Sequence, residues 1–224
     1  MLYEIKHTMK KLFFYIIAII ILLMVAGAKG FCQSVMTMTI KQEIQPTKIK
    51  LAGSGSVTID WGDGKKDNIA ISATLSEFVH FYPDSNFYSK HNPSIYAITI
   101  IGESVKTMGC SYLNLTSLDV SKNRKLEYLY CRNNSLTYLD LSKNTLLKYL
   151  SCANNQLTNL DVSKNKALKD LDCHRNQLSE LNISKNKALT EMYCDGNKLL
   201  TLDISKNKSL TILDCYNNKY DYRT

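Results

Sequence analysis

The stretch LTYLDLSKNTLLKYLSCANNQ, residues 136–156, runs without a gap into LTNLDVSKNKALKDLDCHRNQ, residues 157–177, and LSELNISKNKALTEMYCDGNK, residues 178–198. All three share one frame of 21 residues. Ser-Lys-Asn begins at Ser121, Ser142, Ser163, Ser184 and Ser205, and cysteines recur at Cys110, Cys131, Cys152, Cys173, Cys194 and Cys215. Leucines keep the same beat at Leu115, Leu136, Leu157, Leu178 and Leu199. Five cysteine intervals without a slip are not chance. Self-similarity at a fixed period of about 20–50 residues marks a stacked-repeat architecture.

The unit reads L-x-x-L-D-V-S-K-N-x-x-L-x-x-L-x-C-x-x-N-x and holds two L-x-x-L-x-φ segments. Leu115, Leu118 and Val120 are the apolar set of the first, and Leu126, Leu129 and Cys131 that of the second. Leu129-Tyr130-Cys131 alternates inward and outward, which is strand spacing, and no part of the unit has helical spacing. Asn134, Asn155, Asn176, Asn197 and Asn218 each sit three after a cysteine. An Asn there can turn inward and bond the backbone of the neighbouring rung. Lys-Asn after the first segment makes the opposite turn.

These residues resemble a leucine-rich repeat, L-x-x-L-x-C-x-x-N-x-L, and more closely the 21-residue bacterial class with halves of 10 and 11 residues. The resemblance covers residues 110–224. It implies a solenoid with a parallel sheet on one side and a second extended segment on the other. Both ends depart from the pattern. Leu113 stands where an Asn is expected, so the first half-unit reads as a cap, and Tyr220 replaces the last leucine.

Six regularly spaced cysteines raise the question of disulfides or metal. Equivalent positions on adjacent rungs lie ~4.8 Å apart with parallel side chains. A disulfide needs Cβ atoms about 3.8 Å apart and inclined toward one another, and zinc needs four ligands converging on a point. The column therefore reads as buried thiols acting as small hydrophobes, and no metal or cofactor is expected. His174 alternates out from Cys173 to the surface, while His80 and His91 have no partner spacing.

Residues 29–109 form a different unit. Val35 to Ile40, Lys48 to Leu51, Ser56 to Trp61, Asn68 to Ser72, Glu77 to Tyr82 and Ser94 to Ile101 read as short strands split by Gly, Pro, Asn and Ser. Asp63-Gly64 is a turn signal. Ile59-Asp60-Trp61-Gly62-Asp63-Gly64 and the later Tyr96-Ala97-Ile98-Thr99-Ile100 resemble the PKD-type β-sandwich of extracellular bacterial proteins. The Pro-Gly turn expected before the last strand is missing. Asp60, Asp63 and Asp67 lack the spacing of a calcium hand and read as turn chemistry. Joined directly at Thr107-Met108-Gly109-Cys110, this unit can cover the first rung, whose apolar edge and unpaired backbone would otherwise be exposed. The fold class expected is mainly β: a small sandwich-like domain, then a parallel-stranded solenoid.

Lys6, Lys10 and Lys11 precede the apolar run Leu12 to Ala26, and Ala26-Gly27-Ala28 offers a small-residue cleavage site. This is the pattern of a secretory signal over residues 1–28. The run is short for a span of about 20 apolar residues. Phe31 before Cys32 does not suit lipidation, so membrane contact is expected only through an uncleaved or lipidated N-terminus. The 224 residues carry a formal charge of +8. Of this, residues 110–224 hold 17 basic and 12 acidic side chains. The 45% apolar content excludes a disordered chain.

Nothing in the chain suits catalysis. There is no Gly-x-Ser-x-Gly, no Cys-His pair outside the column, no His-Glu-x-x-His and no phosphate loop. Asp119, Asp140, Asp161 and Asp203 recur beside Lys122, Lys143, Lys164, Lys185 and Lys206 as a solvated column at a turn. That interleaving speaks against nucleic acid, which wants clustered cations with stacking aromatics. Framework positions repeat, whereas the outward positions of the second segment vary. They are Tyr128, Tyr130 and Arg132; Tyr149, Ser151 and Ala153; Asp170, Asp172 and His174; Glu191, Tyr193 and Asp195; and Ile212, Asp214 and Tyr216. The first rungs are rich in tyrosine and the later ones in acid. Tyrosine on a rigid strand gives contact area at low entropy cost. Tyr128, Tyr130, Tyr149, Asp170, Asp172, Glu191, Tyr193, Asp195 and Tyr216 are the candidate binding residues. The expectation is an exported, non-catalytic protein that binds another protein. The resemblance adds a role at the cell surface, in adhesion or host contact. The rivals are a structural surface or matrix component, in which cross-strand tyrosines only stabilise the sheet, and a recognition subunit of a separate enzyme.

Overall fold

Every regular element in the computed structural model is a β-strand, across the described residues 34–41, 46–82 and 95–220. The leader read into residues 1–28, the lipidation reading at Cys32, and His91 lie outside the described residues. The N-terminal strands are β1 (Ser34–Lys41), β2 (Thr47–Asp60), β3 (Lys66–Ile71), β4 (Ser76–His80) and β5 (Ile95–Gly109). The repeats contribute β6 (Leu115–Asp119), β7 (Tyr128–Tyr130), β8 (Tyr149–Ser151), β9 (Asp170–Asp172), β10 (Glu191–Tyr193) and β11 (Ile212–Asp214).

Two expected segments, Lys48 to Leu51 and Ser56 to Trp61, belong to one strand. The Gly and Ser between them make a bulge, not a turn. Register against β5 shifts between Ala52 and Gly53 and again between Ser54 and Val57. A Cβ at Gly53 would lie 2.0 Å from the Ser104 carbonyl oxygen, so the close approach needs glycine. Beyond the bulge β2 pairs with β3, and before it with β4, both antiparallel.

Strand β5 runs eight residues past its expected end at Ile101 because it has partners along its whole length. It pairs antiparallel with β1 and β2, and then Thr107, Met108 and Gly109 pair in parallel with Tyr128, Leu129 and Tyr130. The first rung of the solenoid is thus hydrogen-bonded to the preceding sheet. From β7 to β11 the order is parallel and in register, giving the path β11-β10-β9-β8-β7-β5-β1-β6. The first L-x-x-L segment forms a strand only in its first copy. There Leu115–Asp119 finds an antiparallel partner in β1. In the next three copies its apolar residues remain buried without a ladder, as at Leu136, Leu139 and Leu141.

Each rung is closed by two asparagine columns. In one, Asn155 Nδ2 donates to the Cys131 and Cys152 carbonyls, and Oδ1 accepts the Leu136 N–H. Asn134, Asn176, Asn197 and Asn218 repeat this. The second column is Asn144, Asn165, Asn186 and Asn207, in which Asn165 Nδ2 donates to the Leu141 and Asn144 carbonyls. The residue before each first-column Asn is left-handed: Asn133, Asn154, Arg175, Gly196 and Asn217 have φ of 49–64°. Cys110 to Cys194 are buried free thiols and Cys215 is half-buried. Burial pushes the Cys110 and Cys194 thiols up to about 12, so they stay neutral.

In the N-terminal sheet, Trp61 is buried and its Nε1 donates to Asp67 Oδ2 at 2.7 Å. Asp60 Oδ1 accepts the Gly62 N–H, and Asp63 Oδ1 accepts the Lys65 N–H. The three aspartates therefore serve the turn. His80, which had no partner in sequence, stacks on Trp61 at 4.7 Å and bonds Asp63 Oδ2 through Nε2 at 2.9 Å.

Candidate binding face of the solenoid

The register lines up the varied positions in rows. Tyr128, Tyr149, Asp170, Glu191 and Ile212 form one row, and Tyr130, Ser151, Asp172, Tyr193 and Asp214 the next. Between them Leu129, Leu150, Leu171 and Met192 point inward and are fully buried. Backbone bonds continue the ladder past the strands, so that Arg132, Ala153, His174, Asp195 and Tyr216 make a third row.

The first rungs are joined by rings. Tyr130 and Tyr149 meet at 4.7 Å between centroids. Burial, and then neighbouring phenols and acids, pushes both hydroxyls up, so they remain neutral donors. Arg132 lies over the Tyr112 ring at 5.6 Å. A polar chain follows. Ser151, fully buried, donates from Oγ to Asp172 Oδ2 at 2.9 Å. His174 Nδ1 bonds Asp172 Oδ1 at 2.6 Å, and its Nε2 meets Asn154 Nδ2 at 3.1 Å. Where the amide donates to Nε2, Nδ1 is the ring nitrogen that donates to the carboxylate. Ser151 faces the carboxylate and not the imidazole, so this chain is no nucleophile–base relay of the kind acyl transfer needs. On the later rungs Thr190 Oγ1 donates to Asp170 Oδ1, and Tyr193 approaches Glu191.

No family profile and no curated protein matches the chain. Solved structures do. The functional domain of InlJ from Listeria monocytogenes, described as including a cysteine ladder, is 43% identical over 53% of this chain and 27% of that one, with a TM-score of 0.52. An internalin, inlF, also from Listeria monocytogenes, is 27% identical over 46% of this chain and 33% of that one, with a TM-score of 0.44. YopM from Yersinia enterocolitica is 30% identical over 50% of this chain and 25% of that one, with a TM-score of 0.40. The second half of the chain has the leucine-rich-repeat fold. The chain spans about a quarter to a third of the solved domains it matches.

The leucine-rich repeat brings the candidate residues onto one strand face, but not in equal exposure. Tyr128 and Tyr216 are exposed, whereas Tyr130, Tyr149, Asp170, Asp172, Glu191 and Tyr193 are half-buried. Asp195, expected outward, is only 7% exposed. Sequence reading placed His174 on the surface but did not anticipate its bond to Asp172. An Asp-x-His pair on one strand face was the available signal. It also treated the Asn of Ser-Lys-Asn as a turn residue only, although its strict recurrence pointed to a second buried column.

Proposed function

We propose that the chain is an exported bacterial leucine-rich-repeat protein that binds another protein through the strand face of β7–β11. One observation carries the reading. The framework repeats rung after rung, while the set of outward residues changes from one rung to the next. A surface that served only the fold would have no reason to vary where the framework does not. The tyrosines of the first rungs supply area, and the acids of the later rungs supply direction. Such a protein acts at the cell surface, in adhesion or host contact, with residues 1–28 as its export signal. Residues 29–109 are a PKD-like β-domain capping the repeats of 110–224.

The test is capture from host-cell and bacterial surface extracts. The parent chain is compared with a variant carrying Tyr128→Ala, Tyr130→Ala, Tyr149→Ala and Tyr193→Ala, both checked for melting. A partner held by the parent and lost by the variant supports the reading. Equal capture with unchanged melting overturns it. A structural role is favoured by the Tyr130–Tyr149 contact, which ties two strands together. In that case the variant melts earlier and no partner is captured by either protein.

A further inference from the structure

We infer that the acidic half of the strand face takes a cationic, extended polypeptide segment, with a lysine or arginine head seated on Asp195. This rests on the reading of β7–β11 as a binding face and names the chemistry of its partner.

Asp195 is the first observation. The residue is more than nine-tenths buried on the third row, between His174 and Tyr216. No hydrogen bond or ion pair engages its carboxylate among the described residues. A buried carboxylate is normally paired, because desolvation penalises an isolated charge heavily. Here the partner is absent from the fold, and the carboxylate oxygens still reach the surface, where a partner can meet them. A cationic head from outside would supply it.

The distribution of charge is the second observation. Although the chain is +8 overall, Asp170, Asp172, Glu191, Asp195 and Asp214 gather on the last three rungs of one face. No lysine stands in the three rows. The face's one arginine, Arg132, sits at the opposite end against Tyr112. Lys169 and Arg175 flank the acids without pairing to them among the described residues. An anionic partner would meet this group of carboxylates, whereas a basic one finds a carboxylate that the fold leaves unpaired.

Shape fits the same occupant. Five in-register strands at ~4.8 Å spacing make a strip about 19 Å long. That matches about six residues of extended chain at ~3.3 Å each. Tyr193 and Tyr216 beside the acids offer ring faces on which a guanidinium or ammonium group is stabilised.

The probe is a fluorescent octa-arginine peptide titrated with the full chain near physiological salt, with octa-glutamate as control. Net repulsion from a basic protein makes saturable binding a report on local acids. The expected result is binding that Asp195→Asn weakens roughly tenfold or more, while Lys122→Gln with Lys164→Gln, on the distant turn, does not weaken it. Should Asp195→Asn not fold, Glu191→Gln with Asp214→Asn must show the loss instead. Absence of saturable binding by folded protein, equal binding of octa-glutamate, or indifference to the acid variants overturns the inference. So does self-association of the chain abolished by Asp195→Asn, which would seat a second copy there. The face itself is judged separately. A captured partner lost with the tyrosine variant but neither displaced by octa-arginine nor sensitive to Asp195→Asn leaves the binding face standing and removes only the cationic class.

Discussion

Arg175 occupies the left-handed position that the other rungs give to Asn133, Asn154, Gly196 and Asn217. A φ of 49° crowds its Cβ against the carbonyl, a strain that Gly escapes and Asn tolerates. Its guanidinium makes no ion pair or hydrogen bond among the described residues to offset this. Arg175→Asn is therefore expected to raise stability by about 0.5–1 kcal/mol, read as a higher urea midpoint at unchanged slope. A lower midpoint would mean that the arginine stem packs usefully against Gly196. Leu150 lies at the other extreme. It is fully buried between Leu129 and Leu171 on adjacent strands. Leu150→Ala removes packing on two rungs at once and is expected to cost about 2–5 kcal/mol. A loss below about 1 kcal/mol in a denaturant melt would contradict the inward assignment.

At the scale of the element, the two asparagine columns do unequal work. Asn176 Nδ2 satisfies the Cys152 and Cys173 carbonyls and its Oδ1 accepts the Leu157 N–H. Asn165 Nδ2 satisfies two carbonyls as well, but its Oδ1 has no protein partner. The carbonyls bonded by Asn165 also receive the Asn144 and Leu147 N–H groups. Asn176→Ala thus orphans a buried N–H that Asn165→Ala does not, and should be the more destabilising by about 1–3 kcal/mol. Parallel urea melts of the two variants decide it, and equal losses would refute the distinction. The first column was legible in the sequence, because an Asn three after each cysteine has one obvious inward use. The strands β7–β11 and the buried thiols were legible for the same reason, period. What could not be read were features set by long-range pairing. Gly53 looked like a turn until Ser104 came opposite it, and β5 looked finished at Ile101 until β7 lay alongside. In the candidate site, alternation expected every varied position to face outward. It could not show that neighbouring rungs would bury Asp195, Ser151 and Ala153.

For the whole molecule, the continuous ladder from β1 through β5 to β11 makes residues 33–224 one unit, so acid should unfold it in one step. The carboxylates that matter are spread along it. Burial of Asp63 pushes its carboxyl up, but the Lys65 N–H and His80 outweigh that and hold it low. Lys148, followed by Lys106, holds Glu127 low against the effect of burial. In the solenoid the Ser142, Ser163 and Ser205 N–H groups lower Asp140, Asp161 and Asp203. A carboxyl lowered in the folded state binds its proton less readily there than in the unfolded chain. Its stabilisation is complete above the ordinary carboxylate range near about pH 4 and is lost as pH falls through the folded value. Melting temperature should therefore be level down to about pH 5 and drop below it. The chain supplies its own control for the solenoid part. In the fourth unit Asn182 stands where the others have aspartate, and its Oδ1 still accepts the Ser184 N–H at 3.0 Å. Asn keeps the turn without the titration. The variant with Asp140→Asn, Asp161→Asn and Asp203→Asn should fold, melt in one transition, and show a shallower acid drop than the parent. If the triple variant loses stability as steeply as the parent between pH 5 and pH 3, the turn aspartates contribute nothing to the acid response, and Asp63 and Glu127 carry it.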